Sequence, residues 1–393
     1  MAIATLVPAV DRRARVGSID VIRGAVMVLM AIDHVRVFSG VPAGGQSPGV
    51  FFTRWVTHFC APAFIFLAGT GAFLYGYRRT HLPRFLLTRG AWLVFLELTY
   101  FRVAWTFNFH FMEYELAGVI WVIGWCMILM SGLVRFSIRT IAVVGIVIIA
   151  GHNLLDSFAA NLTQTLGQDI TSNLWRIFYI GFWAGPVTLG PDGPNLVVLY
   201  SLVPWIGVMA AGYAFGQIAV ENRVHRDRAC LWIGLSALGA FLVLRGFNLY
   251  GDPHPWSGTA LSFLNTTKYP ASLDFLLMTL GPTIALIPAL DSATGPIARA
   301  LAVFGRVPFF YYALHIPLIH VLAIVVSLIR EGSINAWLFT NHPAGSPPPP
   351  EGYMWSLGLL YMVWAIAVAI LYVACRWFAD LKARRTDWWL TYL

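Results

Sequence analysis

The chain is 393 residues long, 58% hydrophobic and 11% charged, with a mean hydropathy of +0.70. A soluble domain carries roughly 25% charged residues, so this chain cannot cover a water-facing surface, and a soluble fold is excluded. Its formal net charge of +8 is dispersed over several segments rather than gathered in one patch, which argues against a nucleic-acid partner.

Apolar runs long enough to cross about 30 Å of hydrocarbon as helices fall, in chain order, at 18–38, 55–77, 85–105, 114–134, 140–156, 196–219, 229–249, 272–291, 307–329 and 354–376. The fifth is the shortest, and the stretch 174–187 reads as an interfacial or re-entrant helix. The expected fold is an all-α, polytopic transmembrane bundle of about ten helices. Eighteen Lys and Arg, Arg12, Arg13 and Arg15 among them, fall in segments on one side of these runs. Only Arg36, Arg54, Arg102, Arg176, Lys268 and Arg330 fall on the other. The positive-inside rule then puts both termini in the cytoplasm.

The opening MAIATLVPAVDRRARVGSID places its charges after a short apolar stretch and offers no cleavage site, so the first helix is expected to serve as the insertion signal. Cys60, Cys126, Cys230 and Cys375 sit in or beside four different spans without paired spacing. They read as small apolar fillers, and no metal or disulfide framework is expected. No domain boundary or internal repeat is visible. The expected organisation is a cytoplasmic segment 1–16, a single transmembrane domain 17–378 and a cytoplasmic tail 379–393.

Function has to come from ionisable groups within the spans, which are costly there and seldom persist without a role or a partner. Arg23 and His34 on the first helix are eleven residues apart, about 20° beyond three full turns, and so share one face about 16 Å apart along the axis. His58 enters the second span at a depth similar to His34, and two histidines with acidic neighbours such as Asp33 can relay protons. Glu97 and Arg245 fit a structural role and a functional one equally. Arg36, Arg54, Arg102 and Glu113, near span ends, read as snorkelling side chains, and Asp20 with Arg23 as a local ion pair. His315 and His320 are five residues apart and diverge by about 140°, which suits them poorly for chelating one metal. Trp175, Trp183 and Trp256 in the outer loops fit headgroup anchors or sugar-stacking rings.

The segments SIDVIRGAVMVLMAIDHVRVF and FFTRWVTHFCAPAFIFLAGTGAFL, with VPWIGVMAAGYAFG, NTTKYPASLDFLLMTLGP and FGRVPFFYYALHIPLIH, resemble bacterial membrane proteins related to heparan-alpha-glucosaminide N-acetyltransferase. The likeness runs from about residue 17 to 376. The Arg-x10-His spacing of Arg23 and His34 is also similar to the first-helix motif of bacterial membrane O-acyltransferases. The resemblance implies a multi-pass protein of the bacterial inner membrane that takes an acyl group, usually acetyl, from cytoplasmic acyl-CoA to a sugar amine or hydroxyl on the far side.

Under that resemblance Arg23 lies near the donor's phosphates, and His34 is the general base with Asp33 or another acid setting its tautomer. His58 positions substrate or accepts a second proton. In the heparan enzyme the position matching His34 is not histidine, so His34 and His58 both stand as candidates for the base. Arg245, Asn265, Lys268 and Tyr311 are candidate donors to an oxyanion or substrate, and His315 is grouped with them. The expected partners are the lipid bilayer, acetyl-CoA or another acyl-CoA, and a glycan or glycolipid acceptor, with a homodimer left open. The same ionisable groups would also suit a proton-coupled transporter or exporter, which CoA dependence distinguishes.

Overall fold

The computed structural model describes residues 17–45, 47–167, 169–190, 193–385 and 387–391. The expected segment 1–16, with Arg12, Arg13 and Arg15, lies outside the described residues.

The protein is an all-α membrane bundle. Among the described residues, seven helices are long and apolar enough to cross a membrane. They are α2 (Pro48–Arg78), α5 (Ile138–Thr163), α6 (Leu202–Ala219), α7 (Arg223–Gly246), α8 (Leu273–Asp291), α10 (Pro308–Glu331) and α11 (Leu357–Arg384). Three more occupy the remaining apolar runs. α1 (Gly17–Ser39) carries four charges within its length. α3 begins as Leu82–Leu96, passes a π-turn at Glu97–Phe101 and ends as Arg102–Thr106. α4 (Val119–Leu133) is short. A short helix, α9 (Pro296–Arg306), precedes α10, and α11 runs past the expected boundary at 378.

α1 lies against α2, α9, α10 and α11, and this position explains how it tolerates its charges. Arg36 donates to Asp33 at 2.7 Å and to the Val41 carbonyl at 3.0 Å, while Arg23 stands 3.7 Å from Asp20. Arg36 is thus a buried, paired side chain rather than a snorkelling one, because a partner three residues back neutralises it. Backbone contact seats α1 on α9. A Cβ on Gly24 would come 1.9 Å from the Leu301 carbonyl oxygen, and one on Gly305 1.8 Å from that of Asp20. Glycines permit such close crossings in membranes.

A small three-stranded sheet sits within this all-α bundle. β1 (Tyr114–Ala117) pairs in parallel with β3 (Asn195–Val198), and β2 (Val187–Thr188) pairs antiparallel to β3. Residues 114–117 therefore belong to a strand rather than to the fourth span, and 174–187 becomes short helical turns leading into β2. The sheet ties the chain just before α4 to the chain just before α6. It thereby brings Val119 and Tyr200 to the same place.

Arg102 also departs from the snorkelling expectation. It is 1% exposed and donates to the carbonyls of Tyr114 and His110, to Thr106 and to Asn341. Its guanidinium finds these acceptors within the protein and has no need to reach the headgroups.

Candidate active site

Two of the cavities along α1 meet near its middle. The larger, about 470 Å³, is lined by Arg23, Arg89, Arg306 and Lys382 among apolar side chains of α1, α2, α3, α4 and α10. The smaller, about 30 Å³, is lined by Met30, Asp33, His34, Thr57, Cys60, Ala61, Phe64, Val119, Tyr200 and Lys268. Phe64 and Val119 line both. On α1 the lining side chains Arg23, Met27, Met30 and His34 follow steps of four, three and four, the repeat of one helix face. Four cations among apolar walls suit an anionic molecule with a long uncharged arm.

His34 Nδ1 lies 2.5 Å from His315 Nε2, and His315 Nδ1 lies 2.7 Å from the Tyr312 carbonyl oxygen. The His34 ring meets Trp105 edge-on at 4.8 Å and Tyr312 at 6.5 Å. Tyr311 stacks behind His315 at 5.5 Å and is fully buried. Asp33, expected to orient His34, is instead bonded to Arg36. The neighbour at His34 Nδ1 is another imidazole.

The other sequence candidates divide clearly. Lys268 lines the small cavity with His34 and Asp33, its ammonium 5.1 Å from the Tyr269 ring centre. His58 lies outside both linings. Its Nε2 accepts from Arg54 at 3.4 Å, and its ring meets Phe275 edge-on. Arg245, 2% exposed, donates to the carbonyls of Phe263, His254, Ser262 and Asn265. It holds the 250–268 loop, and Asn265 takes part through its backbone, its side chain being exposed. Trp183 donates to the Tyr269 carbonyl and Trp256 to that of Gly246, and neither lines either of these two cavities.

Several lining residues were not singled out from sequence. Thr57, Phe64, Val119, Tyr200 and Tyr312 come together through tertiary packing. For Tyr312 a local signal existed, since residues three apart on a helix are neighbours and His315 follows it at that spacing. The Glu97 carboxylate lies against the backbone N–H groups of Gly118, Ile120 and Trp121 at the start of α4, where a helix favours negative charge.

Outside the spans, burial pushes the Glu115 carboxyl on β1 up to about 7. Burial, with His320 nearby, pulls the His342 imidazole down to about 3. All four cysteines are buried and unbridged. Among the described residues no group of three or more His, Cys, Asp and Glu side chains is placed to hold a metal ion.

The family model described as heparan-alpha-glucosaminide N-acetyltransferase, catalytic, matches residues 15–248, which is more than half of the chain. No curated protein matches it. The family match takes in α1 to α6 and all of α7, with Arg23, Asp33, His34 and His58. Lys268, Tyr311 and His315 lie beyond it.

Proposed function

The chain belongs to the heparan-alpha-glucosaminide N-acetyltransferase catalytic family, and from that premise we propose that it is an integral membrane acyltransferase. It moves an acyl group, acetyl in the first instance, from cytoplasmic acyl-CoA to an amine or hydroxyl of an extracytoplasmic sugar or glycolipid. The observation that carries this reading is the lining shared by the two cavities. One face of α1 connects a chamber walled by Arg23, Arg89, Arg306 and Lys382 to a smaller one that contains His34.

The cations bind the phosphates of the donor, and charge-assisted contacts of this kind are among the stronger hydrogen bonds. The uncharged arm then lies along Met27 and Phe64 and brings the thioester towards His34. A span of about 16 Å along the helix separates the two ends. His34 Nε2 takes the proton of the acceptor amine or hydroxyl as that atom attacks the thioester carbonyl carbon. The Lys268 ammonium, on the same small cavity, stabilises the oxyanion. Collapse breaks the carbon–sulfur bond, and the CoA sulfur leaves with the proton held by His34.

The lining favours His34 over His58 as the base. The test uses purified protein in proteoliposomes with labelled acetyl-CoA inside and amino-sugar acceptors outside. His34→Ala is expected to lower transfer by about 10²- to 10⁴-fold while acetyl-CoA binding persists, and His58→Ala to have a smaller effect. Substrate movement that needs no CoA and survives His34→Ala would overturn the proposal in favour of transport.

A further inference from the structure

A neutral imidazole carries one N–H and one lone pair, and a carbonyl oxygen only accepts hydrogen bonds. His315 Nδ1, at 2.7 Å from the Tyr312 carbonyl, must therefore hold the His315 proton. This leaves His315 Nε2 as a lone pair, and it lies 2.5 Å from His34 Nδ1. His34 Nδ1 must donate, so its own proton is on Nδ1 and its Nε2 is the unprotonated nitrogen. That nitrogen makes no hydrogen bond among the described residues, and His34 lines the small cavity.

We infer that His315 is the positioning residue of this site, a neutral imidazole in the place where a carboxylate was expected. The inference rests on the acyl-transfer reading for its chemical meaning, though not for its geometry. His315 is 0% exposed and lines neither cavity, so it reaches the reacting atoms only through His34. Its ring is tilted 25° from that of His34 with the centroids 4.7 Å apart, an edge-to-edge arrangement that suits the nitrogen–nitrogen hydrogen bond, and it stacks on Tyr311 at 5.5 Å with 22° between planes. Two hydrogen bonds and the Tyr311 contact fix both the tautomer and the plane of the base. Asp33 does not do this: it accepts from Arg36, and the nitrogen of His34 that needs a partner faces His315 instead.

The identity of the partner affects the reaction. When His34 Nε2 takes the acceptor's proton, the imidazolium's Nδ1–H still points at a neutral nitrogen. A carboxylate there would favour the charged form and hold the proton more firmly. An imidazole supplies the acceptor that orients the base and adds no second negative charge at Nδ1.

Two variants and one spectroscopic measurement test this. His315→Leu removes the acceptor, and kcat is expected to fall by about 10²-fold with KM for acetyl-CoA nearly unchanged. His315→Gln keeps an acceptor oxygen on a side chain of similar reach and is expected to recover about tenfold of that loss. Histidine ¹⁵N spectra of the full chain in lipid, assigned by difference with His34→Gln, are expected to show His34 protonated at Nδ1. In His315→Leu that signature is expected to be lost. A wild-type kcat in His315→Leu, or His34 protonated at Nε2 in the wild type, would overturn the inference. An Nδ1–H signature in a protein that transfers nothing from acetyl-CoA would support the positioning role and count against acyl transfer.

Discussion

Phe64 on α2 and Val119 at the start of α4 are common to the linings of the cation-walled chamber and the His34 chamber. Under the acyl-transfer reading a group passing from one to the other goes by these two side chains. Val119→Trp is therefore expected to lower acyl transfer by about 10²-fold, the scale at which a misplaced reacting group loses rate. Val119 also walls the donor chamber, so acetyl-CoA binding should weaken too, but far less than turnover, because Arg23, Arg89, Arg306 and Lys382 are untouched. Parallel turnover and calorimetric titration would check the separation, and equal loss of both would count against a connecting route.

Arg245 gives a contrasting expectation. Its guanidinium donates to four backbone carbonyls, and hydrogen bonds to charged groups contribute about 1.5–3 kcal/mol each. Arg245→Ala should lower the thermal midpoint in detergent and open the 250–268 loop to proteolysis. Acetyl-CoA affinity should not change. A selective loss of donor binding in a protein of normal stability would assign Arg245 a binding role instead.

The crossing of α1 and α9 is a third point of leverage. At Gly24 an added Cβ would stand 1.9 Å from a backbone oxygen, so neither helix can yield by a side-chain rotation alone. Gly24→Ala is expected to destabilise the protein by roughly 1–3 kcal/mol, the usual cost of overpacking. The change is read from the thermal midpoint, with Gly17→Ala, where nothing lies within 4 Å, as the control.

His342 predicts an acid sensitivity. Burial lowers its imidazole from the ordinary 6.5 to about 3, so it is neutral in the folded protein when the unfolded chain would already be charged. Its contribution is fully present above about pH 6.5 and is lost as pH falls towards 3. Each pH unit in that window costs at most about 1.4 kcal/mol. Nδ1 donates to the Trp337 carbonyl at 3.1 Å and the ring lies 4.0 Å from that of Trp337, so protonation adds an Nε2–H donor that finds no acceptor among the described residues. His342→Asn should flatten the stability profile between pH 6.5 and 4, and an unchanged slope would assign the sensitivity elsewhere.

Much of this architecture was legible in the chain because a bilayer imposes length and polarity on each crossing. The ten apolar runs reappear as helices, and the shared face of Arg23 and His34 follows from helical repeat alone. Groupings made between distant segments were hidden. The β1–β3 pairing joins residues 81 apart, Tyr114 with Asn195, and short strands carry little periodic signal. The His34–His315 pair spans 281 positions, and nothing local to His34 announces it. Asp33 shows the opposite fault. Its adjacency to His34 suggested an orienting role, yet Arg36 at three residues' distance was the nearer competitor on the helix surface.

One helix carries both the cation that meets the donor and the imidazole that meets the acceptor, which makes α1 a ruler under the acyl-transfer reading. Its rise sets the length of arm that a donor must have, and small acyl phosphates lacking such an arm would stop well short of the base. Insertion of one residue between Arg23 and His34 would turn the imidazole by about 100°, and the gauge would then point at the wrong wall.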